Sequence, residues 1–222
     1  RRHDLVWFSR WCGYEVMPLG INKVALFGVA GAVTDTEILI QEQTTSSAAS
    51  IEFTSGITDA YKQYVFKFYT VAPIVNTEIL QMAASTNGGS SYGVTTTSTF
   101  FKAYKNVIWD TGAALGYEAS RDLAQSTDPQ PLAENMANAT QSSGGNNVPG
   151  ANFAGELKLY NPASTTYVKH FTSRFSYNFY LIGEQNPFVA GYYNTTSAIN
   201  AIKFNMIGGG NIEGTIKMYG VL

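Results

Sequence analysis

Hydrophobic and polar residues alternate with period two along much of this chain. In QYVFKFYTV (63–71), Tyr64, Phe66 and Phe68 fall on one side and Val65, Lys67 and Tyr69 on the other. That is the side-chain period of a β-strand. Pro73 closes this run, because proline cannot donate to a ladder. TEILIQEQ (36–43), ASIEFT (49–54), TEILQMAAS (77–85) and FFKAYKNVIW (100–109) read as further strands. So do GELKLYNP (155–162), TTYVKHFTSR (165–174) and FSYNFYLIG (175–183). Near the end, INAIKFNMI (199–207) and IEGTIKMYG (212–220) flank GGGN. Ile202, Phe204 and Met206 share one face of the first run, and Ile212, Ile216 and Met218 one face of the second. Two amphipathic runs around a glycine turn predict a hairpin, since glycine accepts the positive φ such turns need.

Small and polar residues punctuate these runs. TTSSA separates the first two strands, TNGGSSYGVTTTST (86–99) reads as a connecting loop, and GYYNTTSA (191–198) as turn-rich. The least regular part is 120–150, with Pro129, Pro131, Pro149 and an adjacent glycine pair. It predicts a long excursion with one helical turn near Leu132–Ala137, and a place where partner contacts vary.

About eight to ten short strands with little helix imply an all-β antiparallel sandwich, with an irregular excursion around 110–150. A jelly roll is the expected arrangement of that many strands in two packed sheets. No fixed-period repeat argues for a propeller or β-helix. The expected organisation is one β domain over residues 17–222.

Composition sharpens this picture. Charged residues are 14% of the 222, against about 25% in ordinary domains, so uncharged polar and aromatic groups must cover the surface. Such a surface suits contact with other subunits. Net charge is −2 without a basic block, which argues against nucleic acid as a partner. No run reaches the ~20 apolar residues of a membrane helix; Val24–Val33 is apolar but short. Cys12 is the only cysteine, so no internal disulfide forms, and with only His3 and His170 there is no Cys–His metal spacing.

Residues 1–16, RRHDLVWFSRWCGYEV, differ from the rest of the chain, holding two of the three tryptophans and the cysteine. MPLGINKVALFG then reads like a natural start at Met17. Two readings stand: an upstream leader outside the fold, or an arm that packs on a neighbouring subunit.

No pattern of catalytic residues emerges. His170 lies within a strand pattern and reads as structural. The serine-bearing segments lack the G-x-S-x-G elbow of a nucleophile. The acidic residues Glu37, Glu42, Glu52, Asp59, Glu78, Asp110, Glu156 and Glu184 are spread along strands and turns, as a solvated strand face would have them. DTGAALG (110–116) lacks a phosphate-loop lysine, and TDTE lacks EF-hand spacing. No cofactor and no metal are expected. Tyr92, Tyr192 and Tyr193, beside turns, are candidate contacts for a sugar or a subunit.

The chain resembles a group of virion structural proteins from tailed phages of aquatic bacteria. The resemblance rests on INKVALFG, on YKQYVFKFYTVAPIVNTEILQMAAST with NGGSSY (61–92), on GELKLYNPASTTYVKHFTSR (155–174) and on TTSAINAIKFNMIGGGNIEGTIKMYGV (195–221). Residues 120–150 carry little of it and 1–16 none. It implies a non-enzymatic β-sandwich on the phage particle surface, decorating or cementing the head or forming part of a fibre. Expected partners are further copies of itself, a trimer by the jelly-roll analogy, and capsid or tail proteins. The alternative is a receptor-binding module that attaches to host-surface glycans through loops 86–99 and 120–150.

Overall fold

The computed structural model describes residues 36–106, 112–139, 150–180 and 183–222. The proposed leader at 1–16, the Met17 start and Val24–Val33 lie outside the described residues. Among the described residues there are twelve strands and no α-helix. They are β1 (Glu37–Ala48), β2 (Ser50–Phe53), β3 (Gln63–Pro73), β4 (Leu80–Ser85), β5 (Thr96–Asn106) and β6 (Ala113–Tyr117), then β7 (Gln130–Pro131), β8 (Phe153–Tyr160), β9 (Lys169–Phe179), β10 (Gly183–Tyr193), β11 (Ala201–Met206) and β12 (Ile212–Val221).

The strands form two sheets. The large one runs β1-β12-β3-β8-β9-β10-β5-β6 and the small one β2-β11-β4-β7, and every named pairing is antiparallel. The fold is an all-β sandwich. Its core lies where the inner faces meet. Phe53 of β2 and Phe204 of β11 meet Phe66 and Phe68 of β3 edge to face, with centroids 5.0–5.5 Å apart across the layers. Such pairs add about 0.5–1.5 kcal/mol each beyond their buried area. The alternation expected for β3, β11 and β12 is observed: Tyr64, Phe66, Phe68, Ile202, Phe204, Met206, Ile212, Ile216 and Met218 are all buried.

Several expectations need correction. The last two strands do not make a hairpin. β11 pairs with β2 and β4 in the small sheet, whereas β12 inserts between β1 and β3 in the large one. The glycines therefore turn the chain from one layer to the other. Gly208 and Gly209 have φ of 88° and 85°, and a Cβ on Gly210 would come within 2.7 Å of Glu78 Cδ. Alternation identified the buried faces correctly, but it carries no information about which strand lies alongside.

β1 runs on through the polar TTSSA, where its residues are exposed or half-buried and need no apolar side chains. Thr96–Thr99, expected in a loop, begin β5. The two runs 165–174 and 175–183 are largely one strand, β9. β10 spans EQNPFVA, which matched no expected strand, and takes in Gly191–Tyr193 of the stretch expected to be turn-rich. A proline, Pro187, lies inside it. The proline is accommodated because the β9–β10 pairing lapses at Asn186 and Pro187 while β5 pairs with both.

The 120–150 segment is irregular, as expected, but packed where it is described. It has no helical turn near Leu132–Ala137. Gln130, Leu132, Ala133 and Met136 are buried, and the backbone is tied to β4 by Leu132 N donating to Leu80 O at 2.7 Å. Residues 140–149 lie outside the described residues, as do 107–109 of the fifth expected strand.

Candidate functional site

The outer face of the large sheet carries one continuous cross-strand row. Its members are Glu42 (β1), Lys217 (β12), Lys67 (β3), Glu156 (β8), Arg174 (β9), Phe188 (β10), Phe101 (β5) and Tyr117 (β6). Pairing register places them side by side, since neighbours across strands project the same way. The row is ionic from β1 to β9 and aromatic from β10 to β6.

On the ionic side the charges satisfy one another. Lys67 and Lys217 are direct neighbours, which like charges make unfavourable. Each has its own carboxylate on β1: Lys67 Nζ lies 2.5 Å from Glu37 Oε2 and Lys217 Nζ 3.1 Å from Glu42 Oε2. Each also lies over a tyrosine ring, Tyr219 for Lys67 and Tyr69 for Lys217. The hydrogen bond to Glu37 is the main reason the Lys67 pKa is raised.

On the aromatic side, Phe101 and Phe188 stack in parallel, with centroids 4.9 Å apart and planes 3° apart. The Arg174 guanidinium extends the column, 5.2 Å from the Phe188 centroid. Phe101 is 44% exposed, Leu115 77% and Tyr117 57%. Beside the column, Glu156, Lys158, Tyr160, Thr172, Arg174 and Phe188 line a shallow cleft of about 260 Å³. Lys158 Nζ sits 2.9 Å from Glu156 Oε1. Among the described residues Arg174 makes no ion pair, although Glu156 is its cross-strand neighbour.

Beneath the same end of the sheet lies the densest group of ionisable side chains. Lys102 projects inward from β5 and contacts Glu134, and its Nζ lies 3.0 Å from Glu118 Oε2. Arg121 Nε donates to Glu134 Oε1 at 3.1 Å. Side-chain exposure is 14% for Lys102 and 8% for Glu134. Tyr177 Oη accepts from Glu134 N at 2.8 Å and lies 2.7 Å from Gln185 Oε1. Burial works against the charged form of Lys102, but hydrogen bonds to Glu134 and Glu118 outweigh it and raise the pKa. The Glu118 carboxyl is held below its usual value by a hydrogen bond from Ser120 and then by Lys102. Each carboxylate here has a cationic partner, so the arrangement suits anchoring of the 118–134 segment better than proton transfer.

No family model, curated protein or solved structure matches this chain. Site assignments therefore rest on geometry.

The three tyrosines singled out in the sequence project into three different surroundings. Tyr92 caps the small sheet: its Oη donates to Glu52 Oε2 at 3.1 Å, and Lys203 Nζ lies 4.4 Å from its ring centroid. Burial, followed by that contact with Glu52, lifts its pKa to about 12. It also lines a cleft of about 340 Å³ with Ser91, Thr95, Asn194 and Thr195. Tyr192 lies on the outer face of the large sheet beside His170, and accepts a hydrogen bond from Gln125 Nε2 at 3.2 Å. Tyr193 is a correction. Strand alternation turns it inward, it is 2% exposed, and its hydroxyl has no partner among the described residues, so it cannot form a surface contact.

His170 is exposed on β9. No group of three or more metal-binding side chains occurs among the described residues. Sequence reasoning missed Phe101, Phe188 and Arg174. Phe101 was recoverable from the alternation of FFKAYK. Phe188 lies in EQNPFVA, a stretch without period-two alternation that matched no expected strand.

Proposed function

We propose that this chain is a non-enzymatic structural protein of a tailed-phage particle. It decorates or cements the head or forms part of a fibre, and acts through contacts between subunits. The observation that carries the proposal is strand β1. It is twelve residues long and exposed over most of its length, and among the described residues it pairs on one side only. Ile38 and Leu39 are exposed on it. A long edge strand with apolar side chains is a template for pairing with another chain, and a repeated subunit that uses it builds a symmetric assembly. The resemblance of the 61–92, 155–174 and 195–221 segments to virion proteins supplies the particle. The self-neutralised cluster around Glu134 supports a structural role over catalysis.

The strand order supports a jelly-roll reading of the sandwich. Without β1, β12 and the antiparallel pair β9–β10, eight strands remain in the orders β2-β11-β4-β7 and β3-β8-β5-β6. Two nested Greek keys produce this arrangement. The proposed oligomer is a trimer, by analogy with assemblies of that fold.

Sedimentation equilibrium of the full chain, together with antibody labelling of purified particles in electron micrographs, tests the proposal. A stable oligomer and label on the head or fibres are expected. A monomer at all concentrations, or particles that take no label, would overturn it.

A further inference from the structure

We propose that the cleft beside Arg174 on the outer face of the large sheet binds an acidic sugar residue through its carboxylate. Three features of the cleft lead there. The first is an unpaired guanidinium. Glu156 is the natural partner of Arg174 across the β8–β9 pairing, yet its carboxylate is engaged by Lys158. The Arg174 fork of in-plane N–H donors is left open, and that fork matches a carboxylate in bidentate fashion.

The second feature is pre-ordering. The Arg174 guanidinium lies over Phe188, whose ring is itself stacked on Phe101, and this contact restricts the conformations open to the side chain. A donor fixed before binding loses little rotamer freedom when the ligand arrives. The aromatic neighbours also shield one face of the cation from water, which strengthens its pull on an anion.

The third is the rest of the lining. Thr172 Oγ1 and Tyr160 Oη lie 3.3 Å apart, and the Lys158–Glu156 pair borders them. Hydroxyls and a neutralised ion pair can exchange hydrogen bonds with several ligand hydroxyls. The cleft, about 260 Å³, lies on an open sheet face, so a polysaccharide can continue across it in either direction. The occupant that fits one carboxylate fork and a hydroxylated floor is a uronic or sialic acid residue within a glycan. This site is lined by residues of β8, β9 and β10, not by those of the β1 edge assigned to assembly.

The test is calorimetric titration of the full chain with a short oligogalacturonide, with its methyl ester, with sialyllactose and with a sulfated disaccharide. The free acid is expected to bind at least about tenfold more tightly than the ester, about 1.4 kcal/mol. Arg174→Ala should lower affinity for the acid tenfold or more without changing the melting temperature. Arg174→Lys keeps the charge but loses the fork and should recover only part of the affinity. Phe188→Ala should weaken binding by releasing the guanidinium. The proposal falls if neither acidic sugar saturates the protein, if acid and ester bind alike, or if Arg174→Ala binds as well as the parent. Binding of the sulfated sugar alone would overturn the carboxylate assignment. If Arg174→Ala instead dissociates an oligomer, this face is a subunit contact and the proposal also fails.

Discussion

The two ends of the large sheet are built with opposite polarity. At the β1–β12–β3 end the ions are outside, as the pairs Lys67–Glu37 and Lys217–Glu42, and the inner face is core: Phe66, Phe68, Ile216 and Met218. At the β10–β5–β6 end the exposed rings and Leu115 are outside, while Lys102, Glu134, Glu118 and Arg121 are gathered beneath. A sheet with one solvated face normally shows the first arrangement. The second leaves apolar surface in water and costs desolvation of ions, so local stability does not account for it. It is the expected arrangement where the outer face meets something else. The acidic-sugar proposal lies at the boundary between the two ends, where the first cation without a carboxylate occurs.

The contrast can be broken by variants, beginning with the apolar interior of the first end. Ile216→Asp puts a carboxylate at a position with no solvent access. It should cost about 4 kcal/mol or more, lowering the melting temperature by about 10 °C or more. An unchanged transition in calorimetry would refute the assigned inner face.

Next comes the buried ionic cluster of the second end. Glu134→Ala leaves Arg121 without its carboxylate and Lys102 with Glu118 alone in a half-buried site, a loss of about 3 kcal/mol. Hydrogen exchange should show Leu123 and Leu132 amides opening early, with the effect nearly independent of salt. Uniform protection across both ends would contradict the anchoring role.

Acid should then act on the same end. The folded-state pKa of Glu118 is lowered from 4.5, so the folded protein binds that proton less readily than the unfolded chain. The stability this supplies is present above 4.5 and is lost as pH falls below it, towards the folded value. In Glu118→Gln that part of the acid dependence should flatten. A parallel pH–stability curve for the variant would remove Glu118 from the account.

The smallest effect belongs to the outer ions of the first end. Glu37→Gln breaks an exposed pair and should shift the melting temperature by no more than about 2 °C, vanishing in high salt as screening sets in. A large, salt-insensitive loss would mean the two ends treat charge alike.

How far each part was legible depends on the range of the forces involved. β3, β8, β11 and β12 were readable because burial of one face writes a period of two into the sequence. The partner of β12 was not, because Ile212, Ile216 and Met218 would be buried equally well in either layer. β10 was not legible: its last residues, Gly191–Tyr193, fall in the turn-rich GYYNTTSA, and the EQNPFVA before them is tolerated as a strand at Pro187 where β9 withholds its pairing. Tyr193 looked exposed beside a turn until its strand was known to continue to it. The cluster at positions 102, 118, 121 and 134 had no local signature, since a buried ion pair depends on which distant segments meet. The Arg174 cleft was still less visible: it requires that Lys158, two residues along β8, engage Glu156 first.

The insertion of β12 between β1 and β3 also sets a timetable. During synthesis β1 is made well before its partner β12, with residues 49–211 between them. At ~5–20 residues per second the delay is roughly ten to thirty seconds. Throughout that interval β3 lacks its β12 neighbour, so the sheet cannot close on that side and its apolar inner face stays available to chaperones or to other nascent chains. A ribosome that stalls before Ile212 leaves β1 and β3 without their shared β12 neighbour. Closure of this side of the large sheet thus waits on a strand made long after β1, and β12 serves as a gate on every copy that reaches an assembly.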